Sequence, residues 1–227
     1  MQATTACTLQ SLPCYISQIN VCQPDSERTT SRISRFENWA LRQYAQGSPQ
    51  QDLLISLVHF NIARSLVQNT QILEISSQEM DDNAISQFCA LGSKIMDSEK
   101  ILSLPLSLQP TKLQKAMPHH PWLDIIPVAK MRDNIISTGD SFDDRQLCRA
   151  LRGLQNEQPG NTGVIVWSES WDPTGWELTE SFARDWGWTI AHCWSLFEST
   201  NHWRSLRGER PLFCTRTGSI FDYGVSS

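Results

Sequence analysis

The sequence lacks a long apolar run and an early basic segment. No stretch approaches the ~20 consecutive apolar residues that span a bilayer, and the first basic residue is Arg28. A secretory signal peptide opens with positive charge, and a mitochondrial transit peptide is rich in arginine. These two absences predict an intracellular protein that makes no membrane contact.

The loops that bind phosphates or present a nucleophilic serine are also missing. The sequence contains no GxGxxG or GxxxxGKS loop and no GxSxG elbow. Ser168 and Ser170 stand near His192, but no loop that would supply an oxyanion hole accompanies them. We therefore expect no cofactor, and the sequence leaves open whether the protein is an enzyme.

Positive charge is scarce. Nineteen Lys and Arg residues face 24 Asp and Glu residues, which gives a net charge of −5 at pH 7. Residues 1–50 contain four arginines, no lysine and no heptad repeat, whereas a DNA-binding basic region is a helix dense in Lys and Arg followed by heptads. The sequence therefore predicts that the chain does not bind DNA directly.

The seven cysteines are scattered and odd in number. In a reducing compartment, such cysteines are typical of buried thiols. Cys7, Cys14 and Cys22 are spaced too widely for a zinc knuckle, and neither an HxH nor an HExxH pair is present. No metal site is predicted.

Apolar periodicity predicts the fold class. Leu54, Val58, Ile62 and Leu66 recur every four residues within 52–68, which is typical of a core-facing helix. Other helical segments are predicted over 31–46, 81–100, 111–116, 125–136, 140–154, 172–187 and 189–198, and a strand over 164–167. The expected fold is mainly α, a compact helical domain with one or two short β-strands.

Seven of the nine tryptophans fall between Trp167 and Trp203. A tryptophan carries a large apolar surface and one N–H group that requires a partner when it is buried. Such a run is typical either of an aromatic core or of an apolar cleft with polar edges. The sequence alone does not decide between the two.

The predicted helices separate the tryptophans of this run into core-facing residues and loop residues. Asp172 and Pro173 predict a helix start, with Asp at the N-cap and Pro at the first position. On that phasing Trp176, Trp186 and Trp194 face the core. Trp171 and Trp203 stand in predicted loops beside charged residues, and they join Trp122 and Trp176 as candidate ligand-binding residues.

Two carboxylates and a basic patch accompany the tryptophans. Glu177 and Glu180 are one helical turn apart, which indicates a solvated face at a helix N-terminus more strongly than an acid–base pair. Arg204 begins a cluster with Arg207 and Arg210. These guanidinium groups are expected either to bind a carboxylate or phosphate ligand or to pair with the surrounding acids.

The string Pro118-His119-His120-Pro121-Trp122-Leu123-Asp124 is the sharpest local feature. Its prolines restrict the backbone on both sides of the histidines. His119, His120 and Asp124 are therefore candidate catalytic residues for proton transfer. The alternative, which the residue pattern favours, is that the histidines satisfy backbone carbonyls where two parts of the chain meet.

Several strings in fixed order resemble a known family. They are LLISLVHFNIARSLVQN, LPLSLQPTKLQKAMPHHPWLDIIPVAKMRDNII, DDRQLCRAL, and VIVWSESWDPTGWELTESFARDWGW through NHWRSLRGERPL, within residues 53–212. The chain is similar to the fungal domain of unknown function that lies C-terminal to a basic-leucine-zipper-like segment in many transcription factors. The basic segment has no counterpart here, so this chain resembles the domain standing alone.

The resemblance implies a variable N-terminal arm with one helix over 1–50, the family domain over 51–212 and a flexible tail over 213–227. It also implies regulatory relatives located in the nucleus, so nucleus or cytoplasm is expected. Two functions follow. The first is a regulator in a secondary-metabolite gene cluster that acts through a DNA-binding protein partner. The second is an enzyme or binding protein for a small apolar metabolite with a Trp- and His-lined pocket.

Overall fold

A computed structural model describes residues 12–46, 51–92, 96–139, 141–154 and 163–214. Its helices are α1 (Leu12–Ser17), α2 (Glu27–Ala45), α3 (Gln51–Ile72), α4 (Ser98–Ser103), α5 (Lys112–Ala116), α6 (Ala129–Thr138), α7 (Asp144–Leu151), α8 (Glu180–Asp185) and α9 (Trp194–Leu206). Two strands, β1 (Val164–Val166) and β2 (Trp176–Leu178), pair with each other. The prediction of a mainly α fold with a few short strands is confirmed.

Helix α3 runs through the centre of the core. Ile62, Ala63, Leu66 and Val67 on this helix are buried, and the helix contacts both α1 and β1. Residues N-terminal to α3 share the same core, because Ile16, Ile19, Val21 and Phe36 are also buried in it.

Helix α3 ends at Ile72, four residues beyond the predicted end. Its last turn contains Asn69, whose amide donates to the carbonyls of Ile125 (2.8 Å) and Ser170 (3.0 Å). One buried side chain therefore joins the helix to two distant segments. These tertiary bonds stabilise a turn that has no apolar periodicity of its own.

The Trp-rich segment forms a hairpin where the sequence predicted a helix. Asp172 does cap a turn, but the turn is a single 3₁₀ element at Pro173–Gly175, and β2 follows it. Antiparallel pairing places Val164 opposite Leu178 and Val166 opposite Trp176. Helix α8 begins only at Glu180, where the Thr179 side chain accepts a hydrogen bond from Phe182 N. The prediction of a helix starting at Asp172 was wrong because burying all three residues of β2 against α9 stabilises the fold more than a helix at this position would.

Three other predicted elements also differ in the structure. Residues 81–92 form turns instead of a helix, because Ser86 N donates to the carbonyl of His119 across the fold. Helix α7 begins at Asp144 with Asp143 as its N-cap, four residues after the predicted start at 140, and residue 140 itself lies outside the described residues. Helix α9 occupies Trp194–Leu206, shifted towards the C-terminus from the predicted 189–198.

Helices α5 and α6 follow the sequence prediction, whereas α1, which lies in the predicted arm over 1–50, was not predicted. Thr111 and Gln114 form a capping box at the start of α5, and α6 begins after Pro127. The residues from 215 onward, which include most of the predicted tail, lie outside the described part of the chain. None of the helices in the described segments combines the length and the apolar character that a bilayer-spanning helix requires.

Candidate functional site

The candidate catalytic residues lie in a buried polar cluster around Asp124. This Asp124 cluster consists of Ser86, Gln114, His119, Asp124 and Arg132. One carboxylate oxygen of Asp124 accepts from Gln114 Nε2 (2.6 Å) and lies 2.9 Å from His119 Nε2. The other accepts from Ser86 Oγ at 2.5 Å. Asp124 is fully buried, so this carboxylate is solvated by protein groups instead of water.

Arg132 supplies the largest number of hydrogen bonds in the cluster. Its Nε donates to Gln114 Oε1 at 2.9 Å. Its terminal nitrogens donate to the carbonyls of Ser107 (2.7 Å), Ile126 (2.6 Å) and Gln109 (2.7 Å). Burial lowers the pKa of Arg132 to about 10, although Asp124 and then Asp133 oppose that effect. The guanidinium is therefore charged at neutral pH and holds three loop carbonyls in place.

Both ring nitrogens of His119 face acceptors. Nδ1 lies 2.8 Å from the carbonyl oxygen of Met117, and Nε2 faces Asp124. A ring with two acceptors must carry two N–H groups, which makes it an imidazolium. Burial lowers the pKa of His119, but the hydrogen bond and charge of Asp124, together with the Met117 carbonyl, outweigh it and raise the pKa above its ordinary value. His119, Asp124 and Arg132 thus form a charged, internally satisfied group.

His120 makes a separate set of contacts. Its Nδ1 accepts from the backbone N–H of Trp122 at 3.2 Å, and its Nε2 lies 2.9 Å from the carbonyl oxygen of Asp81. This bonding assigns the ring hydrogen to Nε2. His120 therefore caps the turn that buries Trp122. The two adjacent histidines do not converge on one point.

The geometry of the Asp124 cluster does not suit nucleophilic catalysis. In a serine hydrolase the histidine stands between the serine and the acid, whereas here Asp124 stands between Ser86 and His119. The His119 and Asp124 side chains are only 3% and 0% exposed. A substrate cannot reach either group while the fold is closed. The cluster is a structural ion network that joins the 81–92 turns, α5 and α6.

The titration of His119 gives a testable consequence for stability. Because the folded pKa lies above the ordinary value of 6.5, its contribution is complete below that pH and is lost as the pH rises through the folded value. We expect the free energy of unfolding of the wild type to fall as the pH rises above the ordinary value of 6.5, and we expect His119→Gln to remove part of that slope. Urea unfolding at a series of pH values measures this dependence of the free energy of unfolding on pH. The exposed His202→Gln is the matched control, and equal slopes in the wild type and His119→Gln would contradict the assignment.

A second cluster is centred on Glu177. This Glu177 cluster consists of Trp167, Glu177, Arg207 and Glu209. Arg207 donates two bonds to the Glu177 carboxylate, at 2.5 and 2.9 Å, and Nε of Arg207 donates to Glu209 at 2.8 Å. Trp167 Nε1 also donates to Glu177 at 2.7 Å. The hydrogen bonds that Arg207 donates to Glu177 and then to Glu209 raise the pKa of Arg207.

The position of Glu177 corrects the expectation of a solvated helical face. Glu177 lies on β2, is 2% exposed and is bonded to Arg207 and Trp167. Glu180 is the first residue of α8 and pairs with Arg204 at 3.0 Å. The two carboxylates therefore belong to different elements, because the chain passes from strand to helix between them.

Two of the three arginines of the predicted basic patch, Arg204 and Arg207, form ion pairs. Arg204 Nε donates to the carbonyl of Arg210 (2.7 Å), and its terminal nitrogens face Glu180 and Glu209. Arg207 faces Glu177 and Glu209. Of the two alternatives that the sequence left open, pairing with neighbouring acids is the one that the structure contains, so Arg204 has no free face for an anion.

The tryptophans separate into core and surface. Trp176 and Trp186 are buried as predicted, and Trp176 Nε1 donates to the Ser170 carbonyl at 3.1 Å. Trp194 was predicted to face the core but is 37% exposed. It stands at the first position of α9, where the helix has not yet reached the core.

The two loop candidates have different surroundings. Trp171 lies in a loop, as predicted, and its carbonyl accepts from Ser107 Oγ at 2.5 Å. Trp203 was predicted in a loop but lies within α9, stacks on Trp167 at 5.4 Å and donates through Nε1 to the Thr174 carbonyl. In the part of the chain that is described, no hydrogen bond or ring contact joins Trp203 to His119, His120 or Asp124. Trp203 therefore belongs to the surroundings of Glu177 and not to the Asp124 cluster.

Four residues that hold these clusters together were not among the predicted candidates: Ser86, Gln114, Arg132 and Trp167. Glu177 and Arg207 were named from the sequence, but their pairing with each other was not predicted. Gln114 and Arg132 stand in the strings PTKLQ and RDN that carried the resemblance, and this was the only signal for them. Among the described residues, no group of three or more His, Cys, Asp or Glu side chains is placed to hold a metal ion.

Comparison with known proteins gives one match. Residues 93–195 match the family described as Domain of unknown function (DUF3425). This stretch is shorter than the 53–212 over which the resemblance was predicted, and it covers less than half of the chain. It contains most of the Asp124 cluster and much of the Trp-rich segment, so the presence of a domain of unknown function is confirmed. No curated protein and no solved structure matches the chain.

Proposed function

We propose that this protein is a regulatory or accessory protein that acts by binding a DNA-binding protein partner. The observation that carries the proposal is the closure of the Asp124 cluster: every candidate acid–base group there is buried and bonded to protein. The match to a domain of unknown function is compatible with a transcription-associated role. The net charge of −5 argues against direct DNA binding.

The surface around Trp188 and Trp194 supports a protein partner. Both rings are 37% exposed. Trp188 is braced by Phe142 at 5.2 Å and Trp194 by Phe197 at 5.6 Å. Asn134 donates to the carbonyls of Thr189 and Ala191, at 2.9 Å each, and so fixes the loop between the two rings. Rigid, partly exposed tryptophans are typical of interface hot spots.

The more detailed proposal follows from the sequence resemblance. We place the protein in a fungal secondary-metabolite gene cluster and in the nucleus, where its partner supplies the contact with DNA. The competing function, an enzyme or binding protein for an apolar metabolite, requires His119 and a tryptophan to face one cavity. The separation of the two clusters does not favour it.

A deletion strain complemented with variants tests the proposal. The double variant Trp188→Ala/Trp194→Ala is expected to lose cluster transcripts, because loss of one hot-spot tryptophan weakens binding about tenfold or more. Leu206→Ala, which removes an exposed apolar side chain from α9, is the matched control and should leave transcripts intact. Folding of each variant is checked by circular dichroism.

The opposite pattern would indicate an enzyme. In that case transcripts stay intact in the deletion strain while one metabolic intermediate accumulates. A shift of DNA by the isolated protein at low salt would instead show direct DNA binding.

A further inference from the structure

A cleft formed mainly by residues 17–32 is lined by three arginines. It lies between the turn after α1, the first turn of α2 and the end of α7, and it has a volume of about 370 Å³. Arg28, Arg32 and Arg152 contribute to its wall. Neither of the clusters described above contains any of these residues, so the cleft is a separate feature.

Arg152 is a largely buried guanidinium that forms no ion pair with a carboxylate of the described residues. One terminal nitrogen donates to the Ile19 carbonyl at 2.8 Å. Its Nε is buried and has no hydrogen-bond partner among the described residues. Burial lowers the pKa of Arg152. A buried charge without a counterion is costly unless a ligand supplies one.

Arg28 and Arg32 extend the positive wall. Arg32 donates to the carbonyl and side chain of Gln18 and lies 5.9 Å from the Tyr15 ring, which fixes its position. Arg28 makes no hydrogen bond or ion pair within the described residues. Ser26 caps α2 at the same place, so the positive end of a 19-residue helix dipole adds to the field of the arginines.

The acids nearest in sequence do not neutralise this wall. Asp25 accepts hydrogen bonds from the Ser77 side chain and backbone. Glu27 is exposed in the first turn of α2. Because two of the three guanidinium groups have unused donors, the cleft favours a ligand that carries more than one negative charge.

We infer that this cleft binds the phosphate group of a small phosphorylated molecule. A phosphate monoester carries a charge of about −1.5 to −2 at neutral pH and three acceptor oxygens. Guanidinium groups bind it through paired, charge-assisted hydrogen bonds. The volume exceeds what a lone phosphate fills and falls in the range of small-molecule sites. This inference does not depend on the proposed protein partner.

Calorimetric titration of the full chain tests the inference. Inorganic phosphate and adenosine monophosphate are the two probes, and sodium acetate at equal ionic strength is the reference for charge screening. We expect saturable binding of phosphate and none of acetate. Tighter binding of the nucleotide would show that the organic part also fills the cleft, whereas equal affinities would show recognition of the phosphate alone.

Substitutions of single arginines show whether phosphate binds in this cleft. Arg28→Gln is expected to weaken phosphate binding about tenfold, which is the effect of one lost charged hydrogen bond. Arg152→Gln should weaken it further, and its melting temperature shows whether it remains folded. Arg35→Gln, on the exposed face of α2 one turn from Arg32, is the matched control. Binding that is absent in the wild type, or that falls equally in Arg28→Gln and Arg35→Gln, would overturn the inference.

Discussion

Asp124→Asn is expected to reduce the free energy of unfolding by about 3–5 kcal/mol, the typical cost of removing one partner from a buried ion network. The change keeps the shape of the side chain but removes its charge. His119 and Arg132 then stay buried without a counter-charge. The donors Gln114 Nε2, His119 Nε2 and Ser86 Oγ compete for one amide oxygen.

Urea unfolding at neutral pH measures this loss. Asp185→Asn is the matched control, since Asp185 pairs with Arg184 at the surface; its effect should stay below about 1 kcal/mol. If Asp124→Asn loses no more than Asp185→Asn, the Asp124 cluster does not stabilise the fold in the way described.

Arg132→Met is the second substitution with a large expected effect, a loss of about 4 kcal/mol or more. Methionine fills much of the same volume but donates no hydrogen bond. The carbonyls of Ser107, Gln109 and Ile126 then stay buried without a donor, and Gln114 loses the partner of its Oε1.

Arg132→Lys separates charge from geometry. Lysine keeps the positive charge near Asp124 but cannot reach three carbonyls from one planar group. We expect it to recover only part of the loss in differential scanning calorimetry. Arg145→Met, which removes an exposed pair with Asp82, is the control and should change stability by less than about 1 kcal/mol. Full rescue by lysine would show that only the charge of Arg132 matters.

The predictions that succeeded rested on local signals. The four-residue apolar repeat located α3, and the segments predicted over 111–116 and 125–136 contain α5 and most of α6. In each of them the residues that specify the element are neighbours in the sequence. Local patterns therefore gave the fold class and most of the long helices.

The wrong predictions of secondary structure have a different cause, which is that these segments depend on tertiary contacts. Asp172-Pro173 caps a turn equally well whether an α-helix or a single 3₁₀ turn follows, and a three-residue strand such as β2 is too short to show periodicity. Its identity depends on pairing with β1 and packing on α9. Residues 81–92 depend likewise on a backbone bond to His119. Such tertiary bonds are invisible in the local pattern.

The candidate site was only partly predictable. Prolines around the histidines indicated a fixed segment, and the favoured interpretation, that the histidines satisfy carbonyls, agrees with the contacts of His119 with Met117 and His120 with Asp81. The enclosure of Asp124 by Ser86 and Arg132 depends on the fold. No sequence signal places Arg152 beside Arg28, because they meet through the packing of α7 against the chain between α1 and α2.

We infer that His119 and Asp124 stabilise the fold and do not react with a substrate. Nitrogen-resolved NMR of the His119 ring distinguishes these two roles. We expect both ring N–H signals to be present at neutral pH, to exchange slowly with water and to persist above the ordinary pKa of 6.5. A ring that loses one proton near that value and exchanges rapidly with water would contradict it.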